Sequence, residues 1–130
     1  MLKTIGWINI ILILAMLSIY PIKKINLHLI KQKSSLKDTF RKFYRFIIKA
    51  HPIVGIIIIL LGLYHGYNAY SLTAFYSGTI LLYWIVLMGI VAIIGQKISF
   101  LKKQWRIYHR IMGFLALVFS FIHIYYPNLF

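Results

Sequence analysis

A chain of 130 residues that is 62% hydrophobic, with a mean hydropathy of +0.84, is too apolar for a soluble domain and leaves no room for a separate catalytic domain. Fifteen Lys and Arg stand against one acid, Asp38, but they lie between long apolar runs, a pattern of membrane flanks rather than of a nucleic-acid surface. Having no cysteine excludes disulfides, thiolate metal sites and covalent C-x-x-C-H haem attachment, and a single carboxylate excludes paired-carboxylate hydrolysis and carboxylate di-iron chemistry.

Four apolar runs predict an all-α fold, a four-helix transmembrane bundle, with spans at about residues 5–21, 51–67, 75–96 and 106–126. The first ends in Ser18, Ile19 and Tyr20, with Pro21 following, has no A-x-A-like cleavage site, and is expected to be a retained helix; Pro127 is expected to close the fourth. Residues 35–49 follow as a basic segment. Ser35 and Asp38 form a capping-box-like start, Leu36, Phe40, Phe43 and Ile47 line one face, and Lys37, Arg41, Arg45 and Lys49 line another. This predicts an amphipathic helix on the inner leaflet, or solvated charges whose stems snorkel beside the second span.

Loop charge predicts the orientation. Nine cations from Lys23 to Lys49 separate spans one and two, and Lys97, Lys102, Lys103 and Arg106 separate spans three and four. The stretch from Asn68 to Ala74 has none, and neither does the tail after His123. The positive-inside rule then puts both basic loops in the cytoplasm and both termini outside, in a membrane expected to be the prokaryotic cytoplasmic membrane. Trp7, Tyr67, Tyr70, Tyr76, Trp105, Tyr125 and Tyr126 cluster near span ends as an interface belt.

Of the five histidines, His28 falls in a basic loop and is expected to be solvated. The others form two matched intervals: His51 and His65 on span two, His109 and His123 on span four, each 14 residues apart. Fourteen helical residues rise about 21 Å and make four turns at the 3.5-residue period of a left-handed bundle. Both histidines of a helix therefore point the same way, one near each membrane face. Spans two and four run parallel in the charge-derived topology, so His51 should face His109 and His65 should face His123. Each pair could clamp one flat macrocycle. The pairs are too far apart for one four-His metal site, and two two-His sites would lack the further ligands that zinc or copper needs; bis-His haem is satisfied by what is present. Gly55 and Gly113 follow His51 and His109 by four residues, on the ligand face, where a missing side chain makes room. Gly62, Gly78, Gly89 and Gly95 read as ordinary helix packing. Lys49, Arg106 and Arg110 flank the inner pair and could meet haem propionates or, equally, anionic lipid.

HPIVGIIIILLGLYHGY and HRIMGFLALVFSFIHIY thus read as a weak internal repeat. The pattern, over about Ala50 to Tyr126, resembles the four-helix di-haem core of quinol-oxidising cytochrome b, and WRIYHRIMGFLALVFSFIHI is similar to the ferric reductase-like transmembrane family. That resemblance implies His51, His65, His109 and His123 as axial ligands of two stacked b-type haems, inner His51/His109 and outer His65/His123, between helices two and four. The chain departs from those families in having no flavin or nicotinamide domain and no recognisable quinol-site signature. The expected function is transmembrane electron transfer, with lipids and a redox partner protein or quinone as partners and no nucleic acid. The alternatives are a quinol-oxidising or metal-reducing oxidoreductase and a haem-free anchor or assembly subunit.

Overall fold

The computed structural model describes residues 2–69 and 76–129. The predicted belt residue Tyr70 and the predicted start of the third span at residue 75 lie outside the described residues. Among the described residues five helices follow in order: α1 Leu2–Leu17, α2 Ile19–Lys31, α3 Lys37–Ala69, α4 Ser77–Lys97 and α5 Trp105–Tyr125. Four helical stretches are long and apolar enough to cross a membrane: Leu2–Lys31, Lys37–Ala69, Ser77–Lys97 and Trp105–Tyr125. The chain is a transmembrane four-helix bundle, and its outer surface matches that setting. Ile11, Ile53, Ile56, Leu60, Ile93 and Phe114 each expose about 60% of their surface, a belt that lipid covers and water would not tolerate.

Two boundaries differ from the sequence expectation. Pro21 does not end the first helix. It sits in the first turn of α2, where a backbone N–H has no intrahelical partner in any case. Pro21 has no N–H to give the Leu17 carbonyl, and beside this break the Ser18 hydroxyl donates back to the Ala15 carbonyl at 2.6 Å. The basic segment 35–49 is likewise not a separate helix. It is the first part of α3, a continuous helix of 33 residues and about 50 Å, roughly 20 Å more than the hydrocarbon core requires.

α2 packs back along this extension, so the predicted basic loop is a helical hairpin. Its turn is a Schellman motif. Lys33 takes a left-handed conformation (φ 52°) and donates to the Ile30 carbonyl, while Ser34 N–H reaches Leu29 (both 3.2 Å). The side-chain oxygen that receives a backbone N–H at the start of α3 belongs to Ser34, from Leu36 at 3.2 Å, rather than to Ser35.

In the bundle, α1 and α4 each pack against both α3 and α5, whereas α3 and α5 face each other across the diagonal without backbone contact. The centre is closed by one side chain from each helix: Ile13 (7% exposed), Ile58 (4%), Ile85 (7%) and Ala116 (1%). Ile58 stands seven residues from both His51 and His65, and Ala116 seven from both His109 and His123. The heptad spacing that aligns the histidines thus also aligns an apolar plug midway between them. Trp84 ties α4 to α5 beside this plug. Its indole N–H donates to the Met112 carbonyl at 2.9 Å, and its ring meets Phe119 edge to face, a hydrogen bond worth about 1 kcal/mol net.

Candidate functional site

The diagonal gap between α3 and α5 is bridged by histidine rings. His51 faces His109 with ring centres 5.9 Å apart and planes crossed at 74°. His65 faces His123 at 6.2 Å and 83°. These are the two pairings that parallel spans with equal intervals predict. The four rings are half-buried, while His28 on α2 is exposed. The first pair lies at the basic end of the bundle, beside the hairpin and the α4–α5 connection; the second lies at the far end.

Two imidazoles on opposite sides of one metal, each at a metal–nitrogen distance of about 2.0–2.1 Å, have ring centres roughly 6 Å apart. Both pairs have that separation. Among the described residues no third His, Asp or Glu joins either pair. Two nitrogens alone fall short of the four ligands of a tetrahedral metal site, whereas a metal that carries its own equatorial ligands, as the iron of a porphyrin does, needs only two.

The other ring nitrogens point to the same use. His65 Nδ1 lies 3.1 Å from the Leu2 carbonyl, and His109 Nδ1 lies 3.3 Å from the Met88 carbonyl. A carbonyl only accepts, so each of these bonds calls for a proton on Nδ1, and in the neutral ring Nε2 then keeps its lone pair. This is the arrangement of metal-ligating histidines, whose second nitrogen is anchored by an outer acceptor. His123 Nδ1 meets the Ser77 hydroxyl at 3.2 Å. His51 Nδ1 is buried with no partner.

Space differs between the ends. At the far end a partly open cleft of about 110 Å³ is walled by all four helices and includes His65, His123, Gly6, Gly62, Gly66 and Gly78. Glycine makes this wall thin. A Cβ on Gly6 would stand 3.4 Å from the His65 ring, and one on Gly78 would stand 2.7 Å from that of His123. At the basic end a Cβ on Gly55 would meet nothing within 4 Å, so no protein atom packs against this glycine. The space expected at Gly113 is taken by Leu17, 3.1 Å from such a Cβ, and Gly113 lets α1 pack closely on α5. Gly62 packs against Leu82, Gly89 against Ile59, and Gly95 against Trp105, as ordinary helix contacts.

The cations are exposed. Lys49 is free of the pairs, Arg110 and Lys24 share the face of Tyr20 (5.5 and 4.9 Å), and Arg106 lies over Trp105 at 5.5 Å. Trp105 in turn meets the edge of His109, with ring centres 6.1 Å apart. Sequence reasoning missed Ser77, Gly6, the Leu2 and Met88 carbonyls, and the seat that Gly78 makes for His123. The carbonyls leave no mark in a sequence. Ser77–Gly78 was readable as a small polar pair at the start of a span. Comparisons with protein-family models, curated proteins and solved structures return no match to this chain.

Proposed function

We propose that the chain is a membrane electron-transfer protein that holds two b-type haems, one between His51 and His109 and one between His65 and His123, in the manner of the di-haem four-helix cores it resembles. The observation that carries this reading is the double ring pairing at 5.9 and 6.2 Å across two helices whose backbones stay apart. When bound, the group supplies reversible one-electron chemistry. The chain's own part is orientation and exclusion. The Nε2 atoms of His51 and His109, and of His65 and His123, would hold one group each between two rings, an arrangement that would leave no place for oxygen to bind. Leu2 and Met88 hold ring tautomers through their carbonyls. Ile13, Ile58, Ile85 and Ala116 keep the interval between the sites dry and apolar.

Loop charge supports a cytoplasmic basic end, with both termini outside, in a prokaryotic cytoplasmic membrane. Lys49, Arg106 and Arg110 then offer cations to the propionates of the cytoplasmic-side haem or to anionic lipid headgroups. The donor and acceptor fall into the classes of a partner redox protein or a membrane quinone. The deciding experiment is pyridine-haemochrome quantification with a reduced-minus-oxidised spectrum of the purified chain. About two low-spin haems per chain are expected. A chain purified from haem-sufficient cells with none would sink the reading and leave a haem-free anchor in its place.

A further inference from the structure

At the far end, His123 differs from its partner in what holds it. His65 uses a backbone carbonyl, whereas His123 Nδ1 meets the side-chain oxygen of Ser77, 3.2 Å away. A hydroxyl can donate or accept, so this contact alone leaves the tautomer open. A second bond closes it. Ser77 Oγ also lies 2.9 Å from the Pro127 carbonyl, which can only accept. The single hydroxyl proton is therefore committed to Pro127, and the oxygen must accept from His123. The chain of donors runs from His123 Nδ1–H to Ser77 Oγ–H to the Pro127 carbonyl, and each bond polarises the next. Ser77 is 3% exposed, so no water competes for these bonds.

An independent feature sits one residue on. A Cβ at position 78 would stand 2.7 Å from His123 Cε1 and 3.0 Å from Nδ1. Only a residue without a side chain lets the imidazole lie this close to the first turn of α4. Ser77 and Gly78 thus act together, one fixing the proton and the other fixing the distance.

We propose that Ser77 is a positioning residue: it sets His123 as an Nδ1–H imidazole with its Nε2 lone pair turned to the far-end site, and Gly78 is the seat on which that ring rests. The proposal rests on the haem reading for what Nε2 ligates, but not for where the proton lies. It assigns the far-end site a device that no other described histidine has, a side-chain acceptor that one substitution can remove.

The test uses the full chain in lipid nanodiscs, with two readouts. One is the retention and EPR signal of each haem. The other is the ¹⁵N spectrum of the histidines in the reduced, diamagnetic form, which reports the ring nitrogen that carries the proton. Ser77→Ala should speed loss of the far-end haem about 10- to 100-fold, the usual effect of removing an outer partner of a metal-bound histidine. The basic-end haem should be untouched, and Ser77→Thr should restore the far-end site. Gly78→Ala, which keeps the hydroxyl, should weaken the same haem by displacing the ring. Equal weakening of both haems by Ser77→Ala, or no change in either, would overturn the proposal, as would a wild-type His123 proton on Nε2. If the wild-type chain carries no haem, the proposed function fails and the ¹⁵N arm alone decides Ser77. An Nδ1–H signal lost in Ser77→Ala upholds its role, and any other result ends it.

Discussion

The far-end and basic-end histidine pairs come from one repeated spacing, yet their surroundings diverge. At the far end both rings rest on glycines of a neighbouring helix, and both Nδ1 atoms meet a partner at the start of that helix, Leu2 on α1 and Ser77 on α4. At the basic end, His109 has the Met88 carbonyl and the ring of Trp105, while His51 has a buried Nδ1 with no partner, and a Cβ on Gly55 would meet nothing within 4 Å. The lesson is that the interval fixes where two rings meet, and the neighbouring helices fix how firmly each is held. Metal-ligand quality lives largely in that second layer.

On the proposed two-haem reading, the strongest way to break the comparison is to remove rings one at a time. His65→Ala and His123→Ala should each abolish the far-end haem and spare the other. His51→Ala and His109→Ala should do the reverse, read by EPR and optical spectra. The double variant of a true pair should lose little more than either single one, because both residues serve one site. Loss of the same signal from His51→Ala and His123→Ala would show that the pairs are crossed and that α3 and α5 do not run parallel.

A second variant should affect both ends alike. Ala116 is 1% exposed at the centre of the plug, equidistant from the two pairs. Ala116→Phe overfills that layer and should destabilise the bundle by about 1–3 kcal/mol, with both haems lost together on thermal unfolding in detergent. Selective loss of one haem would mean that the plug belongs to that site and is no neutral divider.

Much of this was legible in the sequence, for reasons that also mark its limits. Helix period and membrane length gave the spans; the 14-residue intervals and charge-derived parallel course gave the pairings that the rings at 5.9 and 6.2 Å display. The helical hairpin was missed because Pro21 reads as a terminator unless its place in the first turn of a new helix is known. Gly55 and Gly113 look alike in sequence, four residues beyond a histidine. Only packing decides that Leu17 fills one and nothing fills the other.

That contrast gives a smaller, selective effect. Gly55→Leu should lower basic-end haem occupancy while leaving the far-end haem in place. The bundle itself should hold or gain about 0.5–1 kcal/mol, because leucine replaces glycine inside a helix. Thermal unfolding and haem quantification together read both halves. Retention of both haems at wild-type levels would show that the open space at Gly55 is a lipid-facing gap rather than part of a cofactor site.

The smallest expected effect lies outside both pairs and tests whether the hairpin is mechanically separate from them. Lys33 is the non-glycine residue at positive φ among the described residues, at the C′ position of the Schellman turn between α2 and α3. An L-residue there pays about 1 kcal/mol in Cβ–carbonyl crowding. Lys33→Gly relieves that crowding but gives back part of it through the greater freedom of glycine in the unfolded chain. The net should be a gain of a few tenths of a kcal/mol up to about 1 kcal/mol, seen as slower amide exchange across α2 and residues 37–49. α2 packs on the extension of α3, and the nearest paired histidine, His51, follows that extension in the same helix. If the hairpin only caps the bundle, both haem signals should stay unchanged in Lys33→Gly. A shift of the basic-end signal alone would mean that the hairpin sets the position of His51, supplying from outside the bundle the support that its unpartnered Nδ1 lacks within it.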